Sequence, residues 1–227
     1  MGEGTTTAAN DPEHFFGVVR EAVGALERAA IAHAVIGSAA HVAYVGECAI
    51  DDLDVLVRPE DAEDALEALA GAGFRTESTD PRWLYKAWMD GVLVDVIFRP
   101  PRSFRLSDEA IERRRRVAIG SVDVWILAPE DQVLLELASD AEDAPWHWRS
   151  ALAILAKHQI DWSLLDRPED YENGLRVLGL LLYARTEGVS VPDAPINRIL
   201  ESASPVSTSL TVGEDGDAFE WTTKRRD

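Results

Sequence analysis

The sequence predicts an α/β fold of the α+β kind, a strand-rich half followed by a helical half. Three observations predict it. Short apolar runs that end in glycine, aspartate or proline recur between residues 32 and 127. After Pro129 the apolar residues fall three and four apart instead. No internal repeat interrupts either half. The expected organisation is an α/β core over 12–128, a helical subdomain over 129–204 and a mobile tail over 205–227, where Ser, Thr, Gly and Asp dominate.

Each element has its own signal. Asp11-Pro12 offers an N-cap followed by proline at the first helical position, and Phe15, Val19, Ala22, Val23 and Leu26 recur at helical spacing behind it. Ala32–Ile36 reads as a buried strand that runs into Gly37-Ser38 and a short helix to Tyr44. Asp52–Arg58 is a strand with Leu53, Val55 and Val57 on one side. Pro59–Ala72 is a helix ended by Gly71 and Gly73. Phe74–Thr76, Trp83–Trp88 and Val92–Phe98 are three further strands, the last two joined by an Asp90-Gly91 hairpin turn. A helix over Ser107–Arg115 precedes a strand or hairpin within Val117–Leu127, around Gly120-Ser121. Glu130–Ala138, Trp146–Lys157, Tyr171–Glu187 and Pro195–Glu201 are the helices of the second half.

Composition narrows the function. Hydrophobic residues make up 46% of 227, enough for a real core, and no apolar run is long enough to span a bilayer. Met1–Asn10 has neither a basic start nor an apolar stretch, so the expectation is no signal peptide, a cytoplasmic protein and no membrane partner. The single cysteine, Cys48, excludes a disulfide framework. Lys and Arg number 22 against 41 Asp and Glu, a net charge of −19 that disfavours stable duplex DNA binding and attracts cationic partners. An acidic, lysine-poor surface is equally consistent with adaptation to salt.

The chemistry sits in one constellation. Asp52 and Asp54, two apart on a strand, present their carboxylates to one face. Such a pair is costly without a cation, and Mg²⁺ or Mn²⁺ suits oxygen ligands. Asp95 lies in the middle of the apolar strand Leu93-Val94-Asp95-Val96-Ile97-Phe98; if that strand neighbours Asp52–Arg58, the three acids meet. Gly37-Ser38, between a strand and a helix, makes an anion-binding turn. A phosphate anchor beside carboxylate-held metal fits chemistry on a nucleoside triphosphate. An exposed acidic strand edge is the alternative.

In this order these residues resemble the DNA polymerase β-type nucleotidyltransferase superfamily, in particular the small prokaryotic branch of aminoglycoside nucleotidyltransferases and toxin-like nucleotidyltransferases. Leu127-Ala128-Pro129-Glu130-Asp131 extends the resemblance. It implies a mixed β-sheet core flanked by helices, with a C-terminal helical subdomain closing the cleft. Gly37 and Ser38 match the triphosphate-binding turn; Asp52 and Asp54 match the pair that binds both metals; Asp95 matches the third acid, which shares one metal and helps deprotonate the acceptor hydroxyl. The implied cofactors are two Mg²⁺ or Mn²⁺ ions with an NTP such as ATP as co-substrate. The implied acceptor is a small molecule, a tRNA or a protein, and pyrophosphate is the second product. Where the toxin-like branch carries a lysine after Pro-Glu-Asp, this chain has Glu136; where it carries a basic–acidic pair, this chain reads Trp146-His147-Trp148-Arg149-Ser150. These departures support a second expectation, a non-catalytic nucleotide-binding or protein-interaction module, such as a toxin–antitoxin partner. Lys86 is a candidate to replace the missing lysine.

The remaining polar residues read as structural. Arg99, Arg102, Arg105 and Arg113–Arg116 form the basic stretch, a solvated helix face pairing with Asp108, Glu109 and Glu112, with triphosphate or RNA steering as the alternative. Trp146, His147 and Trp148 read as core, with stacking on a base or sugar of the acceptor as the alternative. Asp140, Glu142 and Asp143 read as a solvated loop, with holding a cationic acceptor as the alternative; His33 and His41 flank the Gly-Ser turn, His41 reading as helix surface with an approach to the nucleotide as the alternative; His14 and His158 show no metal spacing. Asp51 points away from its two neighbours by strand parity.

Overall fold

The computed structural model describes residues 12–46, 50–100, 104–139, 144–166, 171–202, 207–212 and 219–224; Cys48, Arg102 and the Asp140, Glu142 and Asp143 loop lie outside them. The chain forms two compact units, 1–161 and 162–227. The first therefore runs beyond the composition shift at Pro129 and includes two helices of the second half.

Unit one opens with α1 (Pro12–Arg28), β1 (His33–Val35), α2 (Gly37–Val45) and β2 (Leu53–Val57). A 3₁₀ turn at Pro59–Asp61 leads into α3 (Ala62–Gly71). Then come β3 (Arg75–Asp80), β4 (Leu84–Met89), β5 (Val92–Ile97), α4 (Asp108–Arg113), β6 (Arg115–Ile119), β7 (Val122–Ile126), α5 (Pro129–Leu137) and α6 (Ala144–Lys157). The seven strands form one mixed sheet in the order β3-β4-β5-β2-β1-β7-β6. β2 pairs in parallel with β5 and β1 with β7; the other pairs are antiparallel. The β4–β5 turn follows its sequence signal: Asp90 and Gly91 both have positive φ, 49° and 84°, as a tight hairpin turn demands.

Strand parity divides β2. Leu53, Val55 and Val57 are buried on one side, and α1 and α3 pack together with the sheet. On the other side Leu56 joins Ala34, Ile36, Phe104, Leu106, Ala110, Leu127 and Ala138 in a core cluster under α4 and α5. Burying a side chain such as Leu56 stabilises the fold by about 1.5–3 kcal/mol. Asp54 shares this second face, at the edge of that cluster.

Helices α5 and α6 are tied to the rest of the unit by polar bonds. Asp131, fully buried on α5, receives two hydrogen bonds from Arg113, at 3.0 and 2.9 Å. At the end of α6, Lys157 Nζ donates to the Val45 carbonyl at 2.5 Å and the His158 ring bonds the Tyr44 carbonyl at 2.7 Å, satisfying the last carbonyls of α2. The basic stretch is thus only in part the expected solvated face: Arg99, Arg105, Arg115 and Arg116 are exposed, and Arg113 and Arg114 are not. Arg113 is taken by Asp131, Arg114 donates to the His33 and Ile111 carbonyls, and Arg115 and Arg116 belong to β6 because the helix stops at Arg113.

Unit two holds a 3₁₀ turn at Trp162–Leu164, α7 (Tyr171–Thr186), α8 (Asp193–Ser202), β8 (Ser207–Val212) and β9 (Phe219–Lys224). β8 and β9 pair antiparallel from Ser207 opposite Lys224 to Val212 opposite Phe219. Averaged composition predicted a tail over 205–227. It hid two short runs of Thr, Val, Phe and Trp, which favour strands. Among the described residues no helix is long and apolar enough to cross a membrane.

Candidate active site

The parallel register of β2 and β5 sets Asp54 opposite Asp95. Registered partners share a face, so their carboxylates stand side by side. Asp52, one residue before β2, has the parity of Asp54. An oxygen from each of the three acids lies within 4.8 Å of the others. Asp51, exposed, is not in the group. Lys86 stands opposite Asp95 on β4. Its ammonium lies 3.1 Å from Asp95 Oδ1 and donates to Oδ2 at 3.4 Å. The Oδ1 contact is off the hydrogen-bonding direction, so that oxygen is buried with no donor.

One lysine does not balance three acids. Burial, then the Asp52 and Asp95 charges, push the Asp54 carboxyl up to about 7. Burial and the charges of Asp95 and Asp51 also raise Asp52, while Lys86 opposes both shifts. This donor set fits a hard divalent cation: oxygen ligands only, negative charge that one lysine offsets in part, and one buried carboxylate oxygen without a hydrogen-bond donor.

Gly37 is required where it stands. Its φ is +61°, and a Cβ there would lie 2.0 Å from Asp54 Oδ2. Only glycine lets the start of α2 pass so close to the acid. The preceding residue, Ile36, gives α2 no side-chain cap, so backbone N–H groups at that end are open to an anion. Ser38 Oγ is buried and without a hydrogen-bond partner.

Gly37, Ser38, Asp54 and Asp95 line a cavity of about 590 Å³ whose other wall comes from α5 and α6. The sequence offers that wall only as an alternative, in the stacking of Trp146, His147 and Trp148 on an acceptor. Glu136, read only as a missing lysine, is 5% exposed and accepts hydrogen bonds from Gln132 Nε2 and Ser150 Oγ, both at 3.0 Å, and from His147 Nδ1. His41, expected on a helix surface, is buried and its Nδ1 bonds Ser150 Oγ at 3.0 Å. Trp146, expected in the core, is 42% exposed at the cavity and its ring lies 4.7 Å from that of His41. Trp83, 39% exposed, also lines the cavity. The available signal was a glutamate inside an otherwise apolar helix turn, with a Trp-His-Trp run opening the next helix.

The fold, a mixed sheet with flanking helices and a glycine turn beside strand-borne acids, defines the class as that of the nucleotidyltransferases. The family model described as "Uncharacterised nucleotidyltransferase" matches residues 25–184, and the chain belongs to that family. Among solved structures it is similar to an antigenic nucleotidyltransferase-like protein from Paracoccidioides brasiliensis, at 13% identity and a TM-score of 0.55, over 82% of this chain and 94% of that one. It is also similar to the antibiotic-resistance factor ANT(2'')-Ia, at 14% identity and a TM-score of 0.52, over 78% of this chain and 95% of that one. At such identities the likeness is one of fold. A search of curated proteins found no match.

Proposed function

We propose that this chain transfers an NMP group from an NTP to an acceptor hydroxyl and releases pyrophosphate. The observation that carries this reading is the register of Asp54 with Asp95, which gathers three carboxylates beside the glycine turn of α2. Asp52, Asp54 and Asp95 would hold two divalent ions, Mg²⁺ or Mn²⁺. When bound, such ions supply positive charge for the attacking and leaving oxygens of an in-line displacement.

The chain's own groups do the rest. The open N–H groups at the start of α2 and the unpartnered Ser38 hydroxyl donate to triphosphate oxygens. Gly37 lets those donors and the Asp54 carboxylate occupy adjacent space. Lys86 holds Asp95 in place and partly offsets the charge of the acids.

The test incubates the protein with Mg²⁺, each of the four α-labelled NTPs, and cell extract separated into small-molecule, RNA and protein fractions, with Asp54→Asn alongside. Label entering one fraction with the wild type alone supports the reading and names the acceptor class. NTP–Mg²⁺ binding without transfer would assign a nucleotide-binding module instead.

A further inference from the structure

The α5–α6 wall carries a hydrogen-bond relay whose direction the chemistry fixes. Glu136 can only accept as a carboxylate, so Gln132 Nε2, Ser150 Oγ and His147 Nδ1 all donate to it. Ser150 has then spent its proton and accepts from His41 Nδ1. Two consequences follow at the cavity. In the neutral ring, His147 carries its proton on Nδ1 and Nε2 keeps a lone pair. Gln132 turns its amide nitrogen to Glu136, and its carbonyl Oε1 is buried with no partner, in a residue 1% exposed that lines the cavity. The wall thus offers two acceptors and asks for a ligand that donates.

We propose that His147, oriented by Glu136, is the base that takes the proton of the acceptor hydroxyl, and that the acceptor is a small molecule with more than one donor group, a second of which bonds Gln132 Oε1. This rests on the nucleotidyltransferase reading above. Asp95, where the sequence placed the base, is engaged otherwise: Lys86 pairs with it and Asp54 and Asp52 crowd it. His147 lines the same cavity as Asp54 and Asp95 but stands outside their cluster. Trp146 and Trp83, exposed at that cavity, offer flat faces to the C–H side of a ring.

In the step, the acceptor oxygen forms a bond to the α-phosphorus while the bond from that phosphorus to the bridging oxygen breaks. Pyrophosphate leaves with the bond pair, and the hydroxyl proton moves to His147 Nε2. His147 is the catalytic residue here, and Glu136 is a positioning residue.

The test uses the labelled NTPs and the small-molecule fraction of the extract. His147→Gly is expected to lose transfer by about 10²–10⁴-fold, to keep its NTP–Mn²⁺ affinity, and to regain part of its rate with added imidazole. His147→Gln keeps a donor for Glu136 and should fold normally, yet lose transfer without rescue. Nitrogen NMR of the His147 ring should find the Nδ1–H tautomer in the wild type and lose it in Glu136→Gln. Transfer by His147→Gly at the wild-type rate, or a loss that imidazole leaves untouched, would overturn the assignment of the base. Label entering only RNA or protein would overturn the acceptor class. A wild type that labels no fraction would instead overturn the nucleotidyltransferase reading, and the base with it.

Discussion

The two walls of the cavity treat carboxylates in opposite ways. On the sheet side three acids share one lysine, and Asp54 is pushed up to about 7. On the α5–α6 side Glu136 stands alone and receives three hydrogen bonds. The difference separates two uses of a buried acid. Crowded acids with too few donors create demand for a cation that the protein does not supply. A lone acid with its lone pairs filled makes no demand and fixes the groups around it. The same carboxylate group is therefore left open to a ligand on one wall and acts as a scaffold on the other.

Substitutions can break this contrast, and the largest effect belongs to the sheet side. Asp54→Asn should lower transfer by about 10³-fold while raising the melting temperature of the metal-free protein at pH 8, where the carboxyl is ionised, because it removes a charge that is costly to bury. A fall in melting temperature would mean that Asp54 is already satisfied. Glu136→Ala should do the reverse to stability. It leaves the buried donors of Gln132 and Ser150 unpaired, at about 1–3 kcal/mol each, measurable by urea unfolding. Gly37→Ala sharpens the geometry of the first wall: a side chain at φ +61° against Asp54 should cost about 1–3 kcal/mol and weaken NTP–Mn²⁺ binding in titration calorimetry.

The last effect is a pH dependence. Folded Asp54 keeps its proton to about pH 7, while the unfolded chain loses it near the ordinary 3.8, so folding takes up a proton between those values. Metal-free stability contributed by this group is present at the acid end and falls as the pH climbs from about 4 to 7. Mn²⁺ should raise the melting temperature more at pH 8 than at pH 5, and Asp54→Asn should flatten the metal-free profile. Melts across that range check both.

Much of the sheet-side wall is legible in the sequence because its signals are local. Asp52 and Asp54 stand two apart, Asp95 interrupts an apolar strand, and Gly37-Ser38 directly follows a buried run. The register that sets Asp54 against Asp95 and Lys86 is not local; it depends on which strands pair, and β2 and β5 are separated by two intervening strands in the chain. The α5–α6 wall is harder still. His41 and Ser150 are 109 residues apart and meet where α6 packs against α2, whose end Lys157 and His158 cap. No spacing rule connects them, so Glu136 reads as an absent lysine rather than as the hub of a network. The pairing of β8 with β9 was lost for a different reason, since composition averaged over 205–227 blurs two six-residue runs.

Lys86 has a consequence for assembly. A tethered ammonium beside Asp95 lets β4, β5 and β2 align before any ion arrives, since part of the repulsion between the acids is met from within the chain. On the proposed reading, loading the site would be an exchange of partners rather than the capture of an ion by a bare charge. A divalent cation bound there would compete with the Lys86 ammonium for Asp95, and the protein already carries a placeholder of its own.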